Sequence, residues 1–145
     1  MVNEFRKLTN EERALLYKAP VLLSVLTSCS YNDINQIQKR DAIKLAHLKT
    51  FTADPLLIPY YEEVEKNFES QFEAIAQKYY PFDDAQRLAL KAEIEKVAEI
   101  ISKLDNRYAN ILKKSFQSYV THVKRSIHSV FQDFLFPLHI PGLND

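Results

Sequence analysis

The residues best spaced for chemistry form one row in the last third of the chain: Ser115, Ser118, His122, Ser126, Ser129 and Asp133 recur every three or four positions. On a helix, His122 stands one turn from both Ser118 and Ser126 and could accept a hydroxyl proton from either, the opening step of nucleophilic catalysis. Activating a serine also needs a group that orients the imidazole and a donor for the oxyanion. Asp133 lies about 16 Å from His122 along a helix, too far to orient it. Asp41, from another segment, would have to serve. Small hydroxyl residues on a helix flank also permit close helix contact, and the row reads first in that way, so no catalytic activity is expected.

The alternative is a small-ligand or metal-binding pocket bordered by Asp41, His122, Ser118, Ser126 and Tyr61. Metal sites in helical bundles use Glu-x-x-His pairs on facing helices, and the sequence contains none. His47, His128 and His139 share no ligand spacing, while Glu62-Glu63 and Asp83-Asp84 suit the first turns of helices, where they offset the dipole. No bound metal or cofactor is expected. Lys113, Lys114, Lys124 and Arg125 make a solvated basic face without interleaved aromatics, so nucleic acid is not an expected partner.

Composition narrows the field further. With 145 residues and 46% apolar content, the chain has the size of one domain with one sizeable core. Its 19 basic and 19 acidic residues cancel, leaving no global field to draw it to a polyanion. A single glycine, Gly142, argues against dinucleotide folds, phosphate loops and strained nucleophile turns, and for an all-α structure. Cys29 is the only cysteine, so an internal disulfide and paired-cysteine zinc sites are ruled out.

The elements that must position these residues centre on residues 14–29, ALLYKAPVLLSVLTSC, which are apolar in every direction. A helix of that kind must be enclosed by other elements or by lipid. Lys18 and Pro20 interrupt it well short of the ~20 apolar residues that span a bilayer, so it reads as the central rod of a bundle. Leu26-Thr27-Ser28-Cys29 resembles a lipoprotein cleavage site, but a leader ending there would be long and would carry Glu11, Glu12, Lys18 and Pro20. A buried structural thiol in a cytoplasmic protein is the expectation, and lipidation at Cys29 the minor alternative.

Thr9 with Glu12 has capping-box spacing and starts the first helix near Asn10; Pro20 should kink or restart it. Asp33 with Gln36 opens a second helix to about Lys49, whose stripe of Ile34, Ile37, Leu45 and Leu48 has Asp41 in its middle. Asp54-Pro55 turns the chain into a third helix over residues 60–80, with Tyr61, Val64, Phe68, Phe72, Ile75 and Tyr79 inward. Asp83 with Gln86 starts the fourth, inward at Leu90, Ile94, Val97, Ile101 and Leu104. Asp105-Asn106 is the one turn-like pair before a fifth helix over residues 107–135, the alternative being one very long helix. The apolar tail, with Phe136, Leu138, Ile140 and Leu143, should fold back onto the bundle, whereas residues 1–8 should be loosely held apart from Phe5 and Leu8.

The Thr9-x-x-Glu12-Arg13 start, the Ala19-Pro20-Val21 run, and Asn32-Asp33-Ile34 ahead of the amphipathic residues 39–48 resemble the TerB-like tellurite-resistance family over about the first fifty residues. The resemblance implies a small all-helical bundle linked to stress response, with metal held by acidic residues in some members. Where that family has an acidic loop with glycine and a further acid on the next helix, this chain has Tyr31, Asn32, Asn35 and Gln38, and Asp33 alone remains. The fold carries over and the metal site does not. Together these readings predict an all-α, up-and-down bundle of about five helices in a single domain over residues 1–145, with a buried, proline-kinked first helix. Its expected role is a non-catalytic interaction or scaffold module that engages another protein or associates with itself.

Overall fold

The computed structural model describes residues 2–124. Among them the chain is an all-α bundle of six helices: α1 (Asn10–Ser28), α2 (Gln36–Thr52), α3 (Ile58–Lys66), α4 (Phe68–Tyr79), α5 (Asp84–Ile101) and α6 (Asn106–Val123). The only sheet among these residues is a hairpin of two-residue strands, β1 (Cys29–Ser30) and β2 (Asp33–Ile34), paired antiparallel with Cys29 opposite Ile34. No helix among them is long and apolar enough to cross a membrane.

Helix α1 is the hub. It touches α2, α3, α4, α5 and α6, and every residue from 19 to 29 is buried. The three aliphatic hydroxyls of this buried half are satisfied within the helix: Ser24 donates to the Pro20 carbonyl at 2.6 Å, Thr27 to Leu23 at 2.7 Å and Ser28 to Ser24 at 2.7 Å. Because these side chains ask nothing of their neighbours, residues 19–28 can be wrapped on all sides by apolar surface.

The expected break at Pro20 does not occur; α1 runs through it as one helix. A proline inside a helix costs about 3 kcal/mol, partly because the carbonyl four residues back loses its amide partner. Here that carbonyl belongs to Leu16, and the hydroxyl of the fully buried Tyr60 donates to it at 2.6 Å. Burial of Leu16, Val21, Leu22, Val25 and Leu26, each worth roughly 1.5–3 kcal/mol, outweighs what remains of the penalty.

The other helix limits follow local chemistry. Thr9 and Glu12 form the reciprocal capping box, and Asp83 accepts from the Gln86 amide at 2.8 Å. Asp105 accepts from the amides of Arg107 and Tyr108, so the chain does turn there into α6. The second helix starts later than expected: Asn35, not Asp33, caps it by accepting from Gln38 at 2.9 Å. The third predicted helix is two helices, α3 and α4, divided at Asn67 (φ −128°, ψ 19°). The expected inward stripe survives this break, since Tyr61, Val64, Phe68, Phe72, Ile75 and Tyr79 are all buried. The first residues are docked, not loose: Val2, Phe5 and Leu8 are buried, and Arg13 Nη1 donates to the carbonyls of Phe5 at 3.2 Å and Leu8 at 2.8 Å. The continuation of the last helix to residue 135 and the apolar tail lie outside the described residues.

Removing the Tyr60 hydroxyl (Tyr60→Phe) should destabilise the protein by about 1–3 kcal/mol, the usual cost of orphaning a buried polar group. In a Pro20→Ala background the restored amide of residue 20 can serve Leu16 instead. Chemical denaturation of the four-member cycle should then show Tyr60→Phe costing less than half as much; equal costs in both backgrounds would break the proposed link.

Candidate functional site

The structure does not gather the sequence-derived candidates. Tyr61 is fully buried, with its hydroxyl 2.5 Å from Ser115 Oγ, so it belongs to the core. Ser118 is exposed and His122 half-buried on α6, and Ser126 lies outside the described residues. Asp41 is half-buried on α2, and its side chain forms no hydrogen bond or ion pair with His122 or with any other described residue. Its position follows from a rotation of α2 relative to the expected stripe. The helix buries Gln38, Ala42, Leu45 and Ala46, leaving Ile37 61% exposed. Two alanines on that face allow close approach, and the Tyr119 hydroxyl reaches the Ala42 carbonyl at 2.5 Å.

The interior is filled with aromatic rings instead of a pocket. Tyr17 stacks on Tyr60 at 5.5 Å, Tyr60 meets Tyr61 edge-on at 5.1 Å, and Tyr61 stacks on Tyr119 at 6.4 Å. Phe5 places its edge against Tyr17, Tyr60 and Tyr108. Burial pushes the hydroxyls of Tyr60, Tyr61, Tyr108 and Tyr119 well above the ordinary tyrosine value, because a phenolate would be stranded without water. The same cause raises the buried Cys29 thiol to about 11, which keeps it protonated and poorly nucleophilic at neutral pH. Among the described residues no three His, Cys, Asp or Glu side chains come together as a metal ion would require.

Three surface grooves among the described residues can be compared, and Asp41, Tyr61, Ser118 and His122 line none of these three. One of about 540 Å³ between α1 and α5 carries both signs of charge, including the Glu12–Lys103 pair. One of about 390 Å³ holds the His47–Glu65 pair, which ties α2 to α3. The third, of about 520 Å³, lies where the hairpin, α4 and the 80–82 turn meet, and its lining includes Asn32, Asp33, Glu73, Ala74, Tyr80 and Phe82.

This third groove has features the others lack. Asn32 (φ 64°) and Phe82 (φ 61°) are the two non-glycine residues with left-handed backbone among the described residues, and both line it. Asparagine tolerates that region, whereas a bulky phenylalanine enters it at a cost of about 1–3 kcal/mol that the surrounding structure must hold. The Phe82 ring is buried, and the Asn32 amide donates to the Pro81 carbonyl at 2.8 Å, locking hairpin to turn. Around this lock Tyr31 and Tyr80 stand 65% and 58% exposed. The helix does end at this tyrosine pair, Tyr79 closing α4 and Tyr80 capping it, and the groove lies just beyond, where no sequence motif marks it. Two aromatic residues, each beside a turn, were its only trace in the sequence.

Raising the pH should test the buried tyrosines as a set. Unfolded tyrosines ionise near pH 10, while the folded ones stay protonated, so above that pH the unfolded state holds fewer protons and stability falls. Absorbance at 295 nm should show Tyr60, Tyr61, Tyr108 and Tyr119 ionising together with loss of helical circular dichroism, and ionisation of these four with the helix signal intact would refute the account.

No protein-family model matches the chain, and neither curated proteins nor solved structures contain a match. The likeness to TerB-like proteins therefore rests on the residues of the first fifty positions alone.

Proposed function

We propose that this chain is a non-catalytic binding module that receives a segment of a partner protein in the groove between the hairpin, α4 and the 80–82 turn. The observation that carries this reading is the exposed Tyr80 ring lining the groove next to the Asn32–Pro81 lock, with the exposed Tyr31 adjoining Asn32 in the chain. Exposed aromatics on a rigid frame are the usual anchors of protein recognition, because they bury much area at small entropic cost. A rigid frame is what the lock supplies. On the α4 side the groove is lined by Ser70, Glu73, Ala74, Ala76 and Gln77, none of them bulky and apolar, which leaves room for a backbone.

A catalytic reading has less support. Tyr60, Tyr61 and Tyr119 have their hydroxyls tied to carbonyls or to Ser115, the Cys29 thiol is held protonated, and among the described residues His122 has no side-chain hydrogen bond or ion pair, the two buried side-chain atoms without a partner being Gln38 Nε2 and Tyr108 Oη.

Panning a displayed library of random 16-residue peptides against the immobilised protein should enrich binders. Their affinity should drop at least tenfold for Tyr80→Ala and for Ala74→Arg, which fills the groove from an exposed helical position. A library that yields no binder, or binders indifferent to both substitutions, would overturn the reading.

A further inference from the structure

We infer that the segment taken by the hairpin–α4 groove is cationic, an arginine or lysine flanked by apolar residues. This rests on the reading of the groove as a docking surface and adds the chemistry of its occupant. Both charged residues that line it, Asp33 and Glu73, are acidic, and no basic residue lines it. The other two grooves differ in this respect, having Lys18, Lys96 and Lys103 in one and His47 and Lys66 in the other.

The two carboxylates are not equivalent. Glu73 is already paired with Lys39, whose ammonium also sits 5.6 Å from the centroid of the Phe72 ring. One cation is thus held between a carboxylate and an aromatic face at the margin of the groove. Asp33 brings a second carboxylate to the groove that Tyr80 and Phe82 also line, those two rings meeting edge-on at 5.9 Å, and among the described residues its side chain has no hydrogen bond or ion pair. Three cations of the bordering helices are engaged: Lys39 with Glu73, Lys78 over the Tyr79 ring at 5.4 Å, and Arg87 with Asp84 at 2.9 Å. An incoming guanidinium or ammonium meets the Asp33 carboxylate and the exposed Tyr80 ring, and such a cation gains from both. The exposed Tyr31 and Ile37 beyond the hairpin offer apolar surface to the flanking residues.

The test uses the full chain and three pools of blocked nonapeptides with the same apolar positions. One pool carries arginine at the central position, the second its uncharged isostere citrulline, and the third glutamate. Titrated into isotopically labelled protein, the arginine pool should shift the amides of Asn32, Asp33, Ser70, Glu73 and Gln77, with affinity at least tenfold above the other two. Asp33→Asn, a change at an exposed position, should weaken the arginine pool about fivefold and leave the citrulline pool unchanged. Equal binding of arginine and citrulline pools at these residues would overturn the inference while leaving the docking surface intact. Absence of shifts from every pool would overturn both. Shifts at the same amides on concentrating the protein alone would make a second copy of the chain the occupant and overturn the cationic segment.

Discussion

The bond from the Tyr60 hydroxyl to the Leu16 carbonyl is the constraint on which the rest of this structure turns. A helix buried on all sides has no solvent to complete a backbone group that loses its partner, and Pro20 removes one such partner near the middle of α1. In an exposed helix, water would fill the gap. Here the donor has to come from a neighbour, at a fixed height and on a fixed side, and α3 delivers it through a ring with 0% exposure. The proline therefore ties α3 to α1 in one register, and the tyrosine allows the helix to continue straight through a residue that would otherwise end it.

The same device recurs. Tyr119 on α6 donates to Ala42 on α2, and Tyr61 on α3 meets Ser115 on α6, so hydroxyls at the ends of buried rings link helices that are distant in sequence. Aliphatic packing alone tolerates small slips along a helix axis, whereas a hydroxyl seated on a particular carbonyl does not. A core built this way is specific and full. It also has few groups left over for chemistry, because a tyrosine whose pKa is raised by burial and whose hydroxyl is already engaged is a poor acid and a poor ligand.

Sequence reasoning succeeded where the signal was local. The all-round apolarity of residues 14–29 announced a central helix, and the spacings Thr9–Glu12, Asp83–Gln86 and the Asp105 turn marked real helix starts. It failed where two local signals competed or where the deciding contact was remote. Asp33–Gln36 and Asn35–Gln38 are both capping patterns, and pairing of Asp33 with Ser30 in the hairpin left the cap to Asn35. The larger apolar residue Ile37 suggested one buried face of α2, but the close fit of Ala42 and Ala46 against their neighbours selected another. That rotation moved Asp41 off the core face and took away the imagined pocket.

The groove was illegible for a further reason. Its lining comes from three places, residues 32–34, 70–77 and 80–82, none of which forms a motif by itself. The only glycine, Gly142, is far along the chain, so the two left-handed positions that shape the groove fell to asparagine and phenylalanine, types that give no turn signal as strong as glycine. Phe82 is the more telling of the two. A bulky residue in that region persists only when its surroundings over-determine it, and Phe82 has a buried ring, an amide bonded to the Tyr79 carbonyl at 2.9 Å, and the Asn32–Pro81 bond beside it. Those restraints cost backbone freedom at the very place where Tyr31 and Tyr80 are left in water. Rigidity next to exposed apolar surface lowers the entropy lost when another chain docks there. The strain and the exposure thus make physical sense together, as two parts of one preformed surface.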